Sequence, residues 1–158
     1  MGMISVSIKP ILLISIFVLA SGRLTGGETI AISDSVFSAK IERDEWGVPH
    51  IYGKRDADVS FGLAYAHAQD DYKTIEDVIF ALRGELASIY GRDAAVNDYY
   101  VHLMNFWNTI EERYESEVAD DVKLLCDGYA AGINLFLDDF PDKRRKQLSN
   151  LTGRDVVA

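Results

Sequence analysis

The stretch Asp44-Glu45-Trp46-Gly47-Val48-Pro49-His50-Ile51-Tyr52-Gly53 decides how the fold of this chain begins. Its two glycines and its proline do not suit one regular strand. Upstream, Ala39, Ile41 and Arg43 alternate with Lys40 and Glu42, the two-residue period of a half-buried strand. Asp44 and Gly47 then occupy the first and fourth positions of a type I turn. Pro49 forces Val48 to be extended and has no N–H for a ladder, so it belongs at the start or edge of a second strand. The reading is strand, turn, strand over residues 36–53. His50 falls inside the second strand, where it is either structural or part of a site.

Beyond Gly53 the periodicity changes from two to that of a helix. Asp56 is placed as an N-cap for a helix through Phe61 and Ala68, and Gly62, Ala64, Ala66 and Ala68 make it narrow enough for a neighbouring backbone to approach. Ile75, Val78, Ile79, Leu82, Leu86 and Ile89 continue an apolar stripe that Gly91 stops. Val96, Tyr99, Tyr100, Leu103, Phe106, Trp107 and Ile110 form a third stripe. Val118, Val122, Leu125, Tyr129, Ile133, Phe136 and Leu137 form a fourth, closed by Pro141. All four read as core. The fold class is α+β, a mainly helical segment with an N-terminal β-hairpin. At the far end, Thr152 and Asp155 have capping-box spacing, with Leu151 and Val156 placed as a staple. A helix starting there and ending after about one turn cannot stand alone, so the expectation is a segment of a longer product.

Composition narrows the partners. Sixteen basic residues against 25 acidic give a net charge of −9, which leaves no electrostatic footprint for nucleic acid. Lys9 followed by the apolar run Pro10–Ala20 and the small residues Ser21-Gly22 reads as a secretory signal over residues 1–22. The run is too short for a membrane span of about 20 residues, so no stable membrane anchor is expected, and the product would be periplasmic or secreted. Residues 23–37 read as a flexible lead-in. The single cysteine, Cys126, falls on the apolar face of the fourth stripe as a buried thiol. Nucleotide-loop, metalloprotease and serine-hydrolase signatures are missing. His67 with Asp70 and Asp71 is either a cluster able to orient a metal or base, or a surface ion cluster at a helix kink.

Several blocks resemble one family. Lys40-Ile-Glu-Arg-Asp44 through Trp46-Gly47-Val48-Pro49-His50-Ile51-Tyr52 resembles the opening of the penicillin acylases. Asp58-Val-Ser-Phe61-Gly62-Leu-Ala-Tyr65-Ala66-His67-Ala68-Gln69-Asp70 resembles their next helix, and Arg83-Gly84-Glu85-Leu86 to Tyr90-Gly91 its stop. Asp127-Gly128-Tyr129 to Gly132-Ile133-Asn134 resembles a later helix. The resemblance implies an N-terminal-nucleophile hydrolase with an αββα fold. Its exported precursor is cut into a light and a heavy chain, and the new N-terminal serine of the heavy chain attacks an amide with its own α-amino group as base. Residues 38–158 would then be an incomplete light-chain portion. Its partners would be the heavy chain of the same precursor and a small N-acyl substrate, and it would need no cofactor beyond a structural calcium in some relatives.

No catalytic residue transfers to this chain, and because the resemblance places the nucleophile elsewhere, His50 reads as structural. Met104, Phe106 and Trp107 stand either at the border of an acyl pocket or in ordinary core. Where many members carry Asp-Arg, this chain has Asp70-Asp71. The tract Ala64–Asp70 leans toward the branch acting on acyl-homoserine lactones and lipopeptides rather than on penicillin. The competing reading is a non-catalytic helical binding or remnant domain, motivated by the lack of a local catalytic set.

Overall fold

The computed structural model describes residues 27–158; the expected export signal over residues 1–22 lies outside the described residues. Two strands, β2 (Ser38–Arg43) and β3 (Pro49–Gly53), form the hairpin read from the sequence. Its turn closes through Gly47 N–H donating to Asp44 O at 3.0 Å. The Asp44 carboxylate also accepts from the N–H groups of Trp46 and Val48, both at 2.9 Å. Gly47 has φ +81°, a conformation few side chains tolerate.

The hairpin is not alone. Within the stretch expected as a flexible lead-in, Thr29–Ser33 forms β1, antiparallel to β2, giving a sheet of order β1-β2-β3. Ile30 faces Ile41 and Ile32 faces Ala39, so the third strand adds apolar cross-strand pairs to an edge that would otherwise be open. Asp34 sets the turn between β1 and β2 by accepting from Val36 N–H at 2.6 Å and Phe37 N–H at 2.7 Å.

Helix α1 (Asp56–Arg83) crosses this sheet. Asp58, one turn in, ties it down: its carboxylate accepts from the N–H of Arg55 at 3.1 Å and of Ser38 at 3.2 Å. The close-approach expectation holds at Gly62, where a Cβ would lie 2.6 Å from Ile51 Cγ2 and 2.8 Å from Ala39 Cβ. At Asp71 the backbone leaves helical geometry (φ −152°, ψ 65°), and the Asp71 side chain caps the second half by accepting from Thr74 N–H at 3.2 Å and Thr74 Oγ1 at 2.6 Å. His67, Asp70 and Asp71 thus sit at a kink, as the second of their two readings had it.

Helix α5 (Asp120–Asp139) lies along α1. Gly132 makes this approach possible. A Cβ there would run into the Phe61 carbonyl oxygen and lie 2.8 Å from Ala64 Cβ. The core between the two helices and the sheet is aromatic: Tyr65 and Tyr72 pack on Phe136 with ring centroids 5.8 and 5.6 Å apart, beside Phe61, Phe80, Ile133 and Leu137.

Between α1 and α5 the chain departs from its expected course. The second stripe does not run on to Gly91. α1 stops at Gly84, which is left-handed (φ +67°), and a short α2 (Ala87–Tyr90) follows. The third stripe is two helices, α3 (Ala95–Met104) and α4 (Phe106–Glu117), divided at left-handed Asn105 (φ +55°). It is not core: Val96, Tyr99, Tyr100, Leu103 and Phe106 are exposed. The last helix, α6 (Gly153–Val157), starts at Thr152, whose N–H donates to Asp155 Oδ2 at 2.8 Å as the capping spacing predicts.

Candidate functional site

Past the kink, α1 presents Ile75, Val78, Ile79 and Leu82 at helical spacing. Across from them stand Tyr129 of α5, Leu151 and Val156, and between the two sides lies an apolar groove of about 340 Å³. Burial pushes the Tyr129 phenol above its ordinary pKa, and its hydroxyl lies 3.2 Å from His67 Nδ1. One end of the groove is fixed by charge: Arg83 Nε donates to Asp155 Oδ1 at 2.6 Å, with both side chains largely buried. Arg83 also donates to Ser149 Oγ at 2.8 Å. Asp155 therefore holds the start of α6 and the end of α1 at once.

On the other side of that ion pair is a polar cavity of about 450 Å³, lined by Arg83, His102, Trp107, Ser149 and Asp155 among others. A third cavity, about 520 Å³, lies at the kink against residues 142–145. There the buried Glu76 accepts from Arg145 Nε at 2.6 Å and from the Tyr72 hydroxyl at 3.4 Å. Burial and the neighbouring Glu76 charge hold the Tyr72 phenol far above its usual range. These groups are satisfied by one another, which is how a folded chain keeps buried charge.

Nucleophilic catalysis needs an activated hydroxyl or thiol beside a base. Among the described residues no serine or threonine hydroxyl bonds to a histidine, and the hydroxyl that does, Tyr129, is a phenol that burial holds above its ordinary pKa. Ser60 Oγ donates to Leu125 O, Ser149 is held by Arg83, and Thr74 and Thr152 bond to carboxylates of their own caps. Burial pushes the Cys126 thiol up, the nearby Asp127 adding to it, so it stays protonated. His50 contacts Asp44 at 3.3 Å in the exposed turn, and His67 contacts Tyr129. No group of three or more metal-ligating side chains gathers among the described residues. The arrangement offers an apolar groove able to receive an apolar group.

Met104 and Phe106 flank Asn105 at the α3–α4 junction and are exposed. Trp107 is half-buried, its Nε1–H donating to Leu82 O at 2.8 Å. The three are neighbours on one corner, and Trp107 lines the polar cavity. The groove itself was not legible in the sequence. Asp155 carried a visible capping signal, but nothing local couples it to Arg83, 72 residues away.

A sequence model described as penicillin amidase matches residues 38–154. The acyl-homoserine lactone acylase PvdQ of Pseudomonas fluorescens is 31% identical over 126 residues, which cover 74% of this chain and 16% of the relative. Penicillin G acylase of Escherichia coli is 32% identical over 100 residues, 63% of this chain and 12% of the relative. The chain thus spans less than a fifth of the length of these curated relatives. Among solved structures, a thermostable penicillin G acylase from Alcaligenes faecalis overlays with a TM-score of 0.64 at 27% identity, covering 76% of this chain and 68% of that one.

Proposed function

The chain belongs to the penicillin amidase family, and from that premise we propose that it is the N-terminal, light-chain portion of an exported hydrolase that cleaves the amide of N-acylated small molecules. The observation that carries the reading is the family match over residues 38–154 taken with two length ratios. The solved acylase chain it overlays is similar in length to this one, since the overlay covers comparable shares of both. The curated relatives are several times longer. A light chain that completes a larger enzyme accounts for both ratios.

In this reading the nucleophile is the N-terminal serine of a heavy chain cut from the same precursor. Relatives named for acyl-homoserine lactones and for penicillins support that substrate class, and the tract Ala64–Asp70 favours the acyl-homoserine lactone or lipopeptide side. Met104, Phe106 and Trp107 would border an acyl pocket that closes only when the heavy chain is in place. The signal-like segment 1–22 would direct the precursor to the periplasm or medium.

The test is to express the complete gene product and the 158-residue chain separately. Amine release is then followed from N-acyl-homoserine lactones of graded acyl length and from penicillin G. The expected result is turnover by the complete product, a serine at its new internal N-terminus, and none by the chain alone. Turnover by the chain alone, or no hydrolysis of any N-acyl amide by a processed product, refutes the proposal.

A further inference from the structure

Helix α3 is amphipathic and faces the wrong way for a protein that ends at its own surface. At about 100° per residue, Val96, Tyr99, Tyr100, Leu103 and Met104 share an arc of roughly 140°. Asn97, Asp98 and Val101 lie outside that arc, and theirs is the side that docks. Asp98 accepts from the N–H groups of Leu86 and Ala87 at 2.9 and 2.8 Å, satisfying the start of α2. Asn97 Nδ2 donates to Ala81 O at 2.8 Å. Val101 packs where a Cβ on Gly84 would lie 3.2 Å from its Cγ1. The five apolar side chains keep 58–63% of their surface exposed. Turning the helix to bury them would break the bonds at Leu86, Ala87 and Ala81 together, so the outward orientation is fixed.

We propose that the outward face of α3, continued by Phe106, is the seat of the remainder of the acylase polypeptide, the part of the relatives' length that this chain does not span. The inference rests on the light-chain reading and adds where the two parts meet. Two observations select this occupant. The chain covers only 16% and 12% of two curated relatives, so the rest is large enough to cover a helix face. Leaving out the inward-docked Asp98, five carboxylates stand against two arginines over residues 92–117, three of the five in ion pairs with Arg113 or Arg154, on a chain whose net charge is −9. A second copy of this chain would oppose the same acidic rim to itself, and an anionic membrane would be repelled. The seated surface should therefore be apolar at its centre and basic at its edge.

The experiment is hydroxyl-radical footprinting of the complete gene product, native and in denaturant, with amide hydrolysis assayed on the same preparation. Left uncovered at 58–63% exposure, Tyr99 and Met104 would oxidise only about twofold more slowly in the native state than in the unfolded one. Covered, they should slow at least about tenfold. Oxidation within about threefold of the unfolded rate overturns the docking surface, and if the preparation hydrolyses amides the light-chain reading survives that failure. Protection in a preparation with no hydrolase activity has the reverse meaning: the surface stands and the activity reading falls. Protection that disappears on dilution, with a dimer in sedimentation, assigns the face to a second copy and overturns the proposal. As an independent arm, Leu103→Glu should separate the chains of the processed product, while Val36→Glu, an exposed apolar residue before β2, should not; equal effects overturn it.

Discussion

Replacing Asp58 with Asn should destabilise the chain by about 2 kcal/mol at neutral pH, and the loss should vanish in acid. Asp58 sits in the first turn of α1, 4% exposed. Its oxygens accept from Arg55 Nε at 3.0 Å and Nη2 at 2.8 Å, and from the backbone N–H groups of Arg55 and Ser38. The Arg55 guanidinium first, and then these N–H groups, hold the carboxyl at about 2 instead of its ordinary 3.8, against the opposing effect of burial. At 1.36 kcal/mol per pKa unit the difference is about 2.5 kcal/mol. Arg55 is half-exposed and can turn to water when its partner loses charge, which lowers the expected cost to about 2 kcal/mol. Because the folded pKa is depressed, this stability is complete above 3.8 and drains away as pH falls through about 2. Urea unfolding followed by the fluorescence of Trp46 and Trp107 gives the difference at each pH. A gap between wild type and variant that stays constant down to pH 2 would show that the loss comes from packing or geometry, and would refute the electrostatic account.

Other substitutions separate the remaining forces. Gly132→Ala should cost about 2–4 kcal/mol by driving α5 off the Phe61 carbonyl of α1, whereas Gly47→Ala, with open space around it but φ +81°, should cost only about 1–2 kcal/mol; comparable thermal shifts would contradict this. Arg83→Ala should cost about 3–5 kcal/mol by stranding the buried Asp155, and adding Asp155→Leu should recover part of that loss in a double-mutant cycle. Cys126 should react with a thiol reagent only on unfolding, since burial keeps it protonated and covered. Rapid labelling of the native chain would show that α5 is not seated on α1 as described.

The sequence made the hairpin, the long first helix and the capped start of α6 legible because each is set by neighbours in the chain: Asp44 with Gly47, the apolar residues of α1 and Thr152 with Asp155. β1 escaped because Thr29–Ser33 is short, and its reason to be extended is Ile41 and Ala39 on another strand. The third stripe misled for a different reason. Periodicity says that Val96, Tyr99 and Leu103 share a face, not which way that face points. Direction was decided by Asp98 and Asn97, whose partners lie on α1 and α2. Of the candidate site, the α1 wall of the groove was visible as a stripe. Its other wall and the Arg83–Asp155 lock depend on contacts between residues far apart in the chain, 72 residues for the lock, for which a local pattern carries no signal.

These contacts also give α1 a role that its own composition does not suggest. Two ion pairs tie it to the C-terminal segment, Glu76–Arg145 past the kink and Arg83–Asp155 at the end, and its start is tied to the sheet by Asp58 accepting from Ser38 N–H and Arg55 donating to Val36 O. Buried pairs of this kind add little net stability over apolar packing, but they penalise any displaced arrangement by leaving a charge unpaired. A helix of 28 residues, about 42 Å if straight, is thereby held in one position between the sheet and the start of α6. Two features a partner could use lie along its second half: the groove on one side, and α3 fixed to its last turn through Ala81 and Gly84. In the light-chain reading the chain contributes position. It sets an apolar groove and an apolar helix face at a fixed distance from the sheet, and a partner that docks on one must meet the other in a fixed geometry.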